Sequence, residues 1–344
     1  MVCDILIVGA GFAGATTAYH LRKLALDAGD APPRILILEK EAVPGEHSSG
    51  RNAALIRRLI DDPVIAEIAN RSADVLARCE LAEFHRTGSL LIDHPDARNN
   101  AADRVPIATG RALWCPDDGV MDIAGLLSAY LKDQDIRFNT EVIDWTDAPQ
   151  RAASDRATPD APPLLRVRTN KGSLVTRLLV NAAGPWAGRL GDLPVSATTR
   201  HLFVTPPMEG VRPDWPWVWN EPERLYFRPE SGGLLLCACD ESPAEPGRYD
   251  EDPAVRDSLD GLVRELQPRL GELRIMRSWA GHRTFADDRR FVIGHDPRDR
   301  RIFHVAALGG QGVSTSAAVG PLAANLLLHP DTPQDNPFTP TRLL

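Results

Sequence analysis

Apolar residues punctuated by glycine open the chain. Residues 4–9, "DILIVG", read as a buried parallel strand, and from Ala13 to about Leu26 apolar positions recur at helical spacing. "DAGDAPP" is a polar loop, and "RILILEK" (34–40) is a second buried strand, so the start is a βαβ unit. "VIAEIANRSADVLARCELAEF" has the period of a long helix, "GSLLID" (88–93) that of a short strand. Asp122 is placed to N-cap "IAGLLSAYLKD", and "RFNTEVIDW" follows as a strand. "LLRVRTNKGSLVTRLLVNAAG" alternates as a hairpin around Asn170-Lys171-Gly172 before a buried strand, while 146–163, rich in Pro, Ala and charge, is an exposed loop. From Pro194 to about Arg283 tryptophans cluster in "PDWPWVWN", and strands "RLYFRPE" and "GGLLLCACD" flank Ser231-Gly232. That texture predicts an antiparallel sheet with a helix near 254–268. The ending returns to strand, glycine loop and long helix.

At 344 residues the pattern is that of two domains, or of one large domain with an inserted layer. Net charge is 39 − 47 = −8, which opposes a nucleic-acid partner and leaves any acidic substrate to local arginines. Five cysteines, Cys3, Cys79, Cys115, Cys237 and Cys239, form no disulfide framework. The C-x-C pair lies in an apolar strand, so its side chains are expected on one face as packed free thiols. No second Cys/His pair accompanies it, so no metal is expected. Free thiols fit a reducing cytosol and a cytoplasmic location. Asp4 stands where a signal peptide would be basic, and no run of about 18 apolar residues predicts a membrane span.

Gly9, Gly11 and Gly14 give G-x-G-x-x-G directly after a strand and at the opening of a helix, the context that dinucleotide binding requires. Gly9 makes the turn, Gly11 lets the backbone approach a pyrophosphate, and Gly14 allows close helix–sheet packing. The start of the helix, with Phe12 and Ala13, offers free N–H groups and a positive dipole end. Glu39, followed by Lys40, ends the second strand where a carboxylate accepts hydrogen bonds from a ribose diol and disfavours a 2′-phosphate. At this point NAD and FAD both remain open.

Small residues Ser48, Ser49 and Gly50 precede Arg51 and Asn52, where a helix is expected to start. Together with "NAAGPWAG" (181–188) and the late "GGQG", they give an ordered motif set over almost the whole chain. This set resembles the D-amino-acid oxidase-like family of FAD-dependent amine and amino-acid oxidoreductases. "PGEHSSGRNAA", "TRHLF", "LYFRPESGGLLL", "WAGHRTF" and "TSAA" look most like its D-arginine dehydrogenase type. The resemblance implies an α/β fold, α+β overall, with a Rossmann-like FAD-binding domain (1–86, 115–192 and 285–344) and an antiparallel-sheet substrate domain (87–114 and 193–284). It implies that Ser48 to Asn52, with His47 before and Ala53 and Ala54 after, pass beneath the flavin and its pyrophosphate. Val142 would meet the adenine, and Ala182, Ala183, Gly184 and Trp186 would lie along the ribityl and phosphate region. Gly309, Gly310, Gln311, Gly312 and Val313 would face the flavin pyrimidine edge, where backbone N–H groups and a helix dipole stabilise the reduced anion. His47 could be a covalent tether, although a loop role fits it better.

By the same resemblance Arg283 grips a substrate carboxylate, with Tyr226 and Arg200 assisting. A guanidinium suits that task through two parallel charged hydrogen bonds. Departures from the D-arginine type are Leu55, Ile60 and Gly88 where its pocket carries polar side chains, with Glu83 the nearest replacement acid. A small or apolar amino acid, or a secondary amine acid, is therefore expected as readily as D-arginine. The implied reaction is oxidative deamination: hydride passes from substrate Cα to flavin N5, and the imine hydrolyses to the 2-oxo acid. A D-amino-acid dehydrogenase or oxidase is favoured, with O₂, a quinone or a carrier as the open choice of acceptor. His282 and His304 are candidate polar helpers. The alternatives are FAD-dependent 2-hydroxy-acid oxidation, for which no base stands out, and a flavin-carrying subunit of an electron-transfer complex.

Overall fold

In the computed structural model, which describes residues 2–149, 163–221, 224–330 and 336–344, the opening pattern becomes strand Val2–Val8, helix Phe12–Asp27 and strand Ile35–Leu38. Ile5, Ile7 and Ile37 are buried on one side of these strands and Leu6, Leu36 and Leu38 on the other, as a sheet covered on both faces requires. The order across this sheet is Val142–Asp147, Leu165–Thr169, Gly172–Asn181, Val2–Val8, Ile35–Leu38, Ile136–Arg137. Strand Ile302–Ala306 lies parallel to the end of Gly172–Asn181 and antiparallel to Val292–His295. The first and last helices, Phe12–Asp27 and Ser316–Leu328, pack together so closely that a Cβ on Gly320 would collide with Thr16 and His20. This layer thus draws strands from the start, the middle and the end of the chain.

A second eight-stranded sheet runs Arg277–Ala286, Val195–Val204, Gly233–Cys237, Leu225–Glu230, Trp217–Asn220, Ser89–Ile92, Arg111–Cys115, Asn99–Asn100. Every pairing in it is antiparallel except Trp217–Asn220 with Ser89–Ile92. One face packs on helix Pro253–Leu266 through Val255, Leu259 and Val263. The mixed α/β class and the two-sheet organisation follow the sequence reading.

Several local expectations give way. The long helix after Pro63 ends at Leu76, because Cys79 and the following polar turn leave the helical path. No helix starts at Arg51: Ala54 takes a left-handed φ of 63°, and the chain continues as strand Leu55–Ile56. "RFNTEVIDW" splits into Ile136–Arg137 and Val142–Asp147 around Asn139, also left-handed at φ 54°. The strand carrying the C-x-C pair stops at Cys237, and Cys239 is left-handed at φ 53°. Most of the 146–163 loop lies outside the described residues.

Candidate functional site

Backbone approach at the glycine turn is the first geometric result. A Cβ on Gly9 (φ 101°) would stand 2.5 Å from the Ala182 carbonyl, and one on Gly11 would stand 2.8 Å from Ser49 Oγ. A Cβ on Gly14 would collide with the Gly9 carbonyl, so all three glycines are required by space. The Ser49 hydroxyl accepts from the Phe12 N–H at 2.9 Å, which fixes the small-residue loop against the helix N-terminus. Ala10 N–H donates to Glu39 at 2.9 Å, and so does Glu41 N–H, turning that carboxylate towards the glycine loop.

Gly9, Gly11, Glu39 and Ser49 line a cavity of about 460 Å³, together with Lys40, His47, Ser48, Val142, Ala182, Ala183, Gly184 and Trp186. Lys40 sits over the Trp186 ring at 4.0 Å. A smaller cavity of about 100 Å³ continues past Phe12, Ala13 and Asn52 to Gly309, Gly310, Gly312 and Val313. The loop holding it is knit internally: Asn52 donates to the Ser49 carbonyl and accepts from Ala54 N–H at 2.7 Å. Gly50 closes a turn onto the Gly45 carbonyl. Arg51 points away from both cavities, donating to the Glu46 carbonyl and to Ala280. His47 has both ring nitrogens engaged, Nε2 with Glu41 at 2.8 Å and Nδ1 with the Gly247 carbonyl at 3.2 Å, so a covalent tether there would cost one of these bonds.

A third cavity, about 410 Å³, opens beside the second and is lined by Asn52, Ala53, Ala54, Arg200, Tyr226, Arg283, Gly309, Gly310 and Gln311. Its floor is one face of the antiparallel sheet, where cross-strand register sets Tyr226 opposite both Trp219 and Cys237. Arg200 faces Gly281 and Thr198 faces Arg283, so the two arginines project from that same face. Arg200 is tied to the Asp240 carbonyl at 2.7 Å and to Glu241 at 2.8 Å. Arg283, only 8% exposed, lies against Gly310. Among the described residues its guanidinium finds only the His282 carbonyl, at 3.4 Å. Burial, and after it the charge of Arg200, push the Arg283 pKa down. Both causes act against a cation that has no anionic partner, and such a site favours an anion. Burial likewise holds the Tyr226 phenol well above its ordinary value.

Structure and sequence diverge at the pocket walls. Leu55 and Ile60 line the cavity, whereas Gly88 is packed against Trp114 and Glu83 pairs loosely with His85. His282 binds the Gly247 carbonyl, and His304 is fully buried on Asp296 at 3.0 Å, so neither enters this cavity. Trp219, Phe285, Arg57, Asp62, Glu241 and Arg289 also line it and escaped sequence reading. The alternation within "WVWN" was the available signal for Trp219; the others come from strand ends and turns, which carry none.

Comparison with known proteins agrees with this geometry. The profile of the FAD dependent oxidoreductase family matches residues 4–326. The chain belongs to that family. FAD is therefore its cofactor, and the glycine cradle, where any Cβ would fill the space, fits a dinucleotide. Human mitochondrial sarcosine dehydrogenase is 23% identical over 387 residues, spanning 95% of this chain and 40% of that protein. Bacillus subtilis glycine oxidase is 24% identical over 182 residues, 50% of this chain and 46% of its own length. The matches thus span less than half the length of each of these two curated relatives. L-proline dehydrogenase from P. horikoshii superposes with a TM-score of 0.81 at 21% identity, covering 99% of this chain and 97% of its own. Glycine oxidase from Geobacillus kaustophilus gives 0.80 at 21% identity, covering 100% and 99%. Among the described residues no helix is long and apolar enough to cross a membrane.

Proposed function

We propose that this flavoprotein oxidises a free amino acid or N-alkyl amino acid at its Cα, with D-amino acids the favoured class and a 2-oxo acid the product. The observation that carries the reading is Arg283, a buried guanidinium with no salt-bridge partner among the described residues, at the junction of the two smaller cavities. When bound, FAD supplies the two-electron acceptor. Arg283 takes the substrate carboxylate in two parallel hydrogen bonds, with Arg200 and the Tyr226 hydroxyl closing on the same group. Gly309 and Gly310 line both this cavity and the one that continues from the dinucleotide site, so the clamp would hold the substrate Cα between the two, and the protein's contribution is orientation. Leu55, Ile60, Trp219 and Phe285 shape the remainder of the cavity for a small or apolar side chain, or for an N-alkyl group. The glycine cradle, Ser48, Ser49, Asn52, Glu39, Val142 and Ala182–Gly184 hold the dinucleotide. Segments 1–86, 115–192 and 285–344 act as its domain, and 87–114 with 193–284 as the substrate domain. Five free thiols support a reducing, cytoplasmic setting.

The test is anaerobic mixing of the FAD-loaded protein with D- and L-amino acids, N-methyl amino acids and 2-hydroxy acids while flavin absorbance is followed. Bleaching by one amino-acid class, lost in Arg283→Ala, is the expected result. Bleaching by hydroxy acids alone, or by none of the panel, overturns the reading.

A further inference from the structure

Behind Tyr226 and Arg200, which line the substrate cavity, lies a sulfur pair that the proposed reaction does not use. Cys237 is completely buried at the end of its strand, facing Tyr226 across the ladder. Two residues on, Cys239 adopts its left-handed conformation, a strained choice for a residue with a side chain. The consequence is local: the chain folds back, and the Cys239 N–H donates to the Cys237 sulfur at 3.3 Å. The Cys239 thiol and the Tyr226 hydroxyl also lie within hydrogen-bonding reach of that sulfur, and Arg200 acts on it electrostatically. Burial alone would raise the Cys237 thiol, but these donors and the guanidinium outweigh it and hold its pKa below the usual value. Cys239 itself is only half-buried. A sulfur surrounded by donors, beside a cation and next to a second thiol, is built as a nucleophile with a resolving partner.

We propose that Cys237 and Cys239 form a peroxide-responsive thiol pair beneath the substrate cavity, closing to a disulfide that weakens carboxylate binding. The Cys237 thiolate attacks one oxygen of hydrogen peroxide, the O–O bond breaks, and hydroxide leaves, giving a sulfenic acid. Cys239 sulfur then displaces the sulfenic oxygen, which departs as water with the Cys239 proton. One thiolate and one thiol are oxidised to a disulfide, and the peroxide is reduced to water and hydroxide. Cys237 itself has no exposed surface, so peroxide, a molecule close to water in size, has to pass between the Tyr226 and Arg200 side chains that line the cavity or enter past the half-buried Cys239. The disulfide removes the acceptor that Tyr226 and Arg200 face, so both shift relative to Arg283. That functional consequence rests on the carboxylate-clamp reading; the disulfide chemistry does not.

The experiment treats the full FAD-loaded chain with hydrogen peroxide, quenches it, and alkylates the protein in denaturant for peptide mass analysis. The peptide carrying both cysteines is expected to lose two hydrogens and to resist alkylation until a thiol reductant is added. In Cys239→Ser, peroxide with dimedone is expected to place the adduct on Cys237. Cysteines that stay fully alkylatable after peroxide, or a dimedone adduct confined to Cys3, Cys79 or Cys115, overturn the proposal. On the wild-type protein, KM for the substrate found above is expected to rise roughly tenfold after oxidation and to return on reduction, matching the loss of one charge-assisted hydrogen bond. A disulfide that forms in a protein bleached by no amino acid supports the thiol pair and overturns the substrate reading alone.

Discussion

Arg283 is expected to dominate mutational sensitivity, because it is a buried charge with no salt-bridge partner among the described residues. Charge-assisted hydrogen bonds contribute about 1.5–3 kcal/mol each, so losing the two of Arg283 in Arg283→Ala is expected to lower kcat/KM by roughly a hundred- to a ten-thousandfold. Arg283→Lys keeps the charge but loses the planar fork, and should recover only part of this, read by anaerobic flavin reduction across substrate concentrations. Tyr226→Phe removes one neutral donor and is expected to cost about tenfold, mainly in KM. The glycines predict a different failure. Gly9→Ala forces a Cβ onto the Ala182 carbonyl, so purified protein should lose its bound flavin absorbance while helix content by circular dichroism is retained.

At the scale of elements, helix Pro63–Leu76 borders the substrate cavity and depends on Asp62 for its start. The Asp62 carboxylate accepts from Val64 N–H at 2.9 Å and Ile65 N–H at 3.1 Å, while its other oxygen pairs with Arg290 at 2.9 Å. That one side chain thus joins the helix to the turn before strand Val292–His295. Asp62→Ala is expected to lower stability by about 1–2 kcal/mol, the range for a lost cap, visible as a drop in thermal midpoint. Asp62→Asn keeps the cap geometry and should recover most of it. The antiparallel sheet works differently, since register alone carries Arg200, Tyr226, Cys237 and Arg283 to one face. A one-residue slip between Val195–Val204 and Arg277–Ala286 would turn Arg283 away from the cavity.

For the whole molecule, acid sensitivity follows from buried histidines. Burial is the leading cause that pushes His20, His282, His295 and His304 below their ordinary value of 6.5, so the folded form keeps them neutral. The unfolded chain takes up these protons below about pH 6.5, so the stability they contribute is present above that pH and declines as pH falls towards the folded values. His201 has the opposite sign: although burial opposes its charge, Asp240 at 2.7 Å raises its pKa, so its contribution is full below 6.5 and fades as pH rises. Four groups against one predict a falling thermal midpoint between pH 7.5 and 5.5, and His304→Asn should flatten that slope. A midpoint that rises on acidification would contradict this assignment.

The features legible from the chain alone are local and periodic. The βαβ start, the three spaced glycines, Glu39 at a strand end and the hairpin around Asn170-Lys171-Gly172 are each set by residues near one another in the chain. Arg283, Tyr226 and Arg200 were legible only through family resemblance, because no local spacing joins them. Only the folded arrangement leaves Arg283 without a salt-bridge partner among the described residues while Arg200 is tied to Glu241, since pairing depends on which strands become neighbours. It also decided that Ala54 and Cys239 turn left-handed, ending the expected helix and strand, and that Glu83 stays outside the substrate cavity. Backbone reversals at residues with side chains are held by surrounding contacts, such as Asn52 on Ala54 and the Cys237 sulfur on Cys239. Such contacts exist only once the chain has folded.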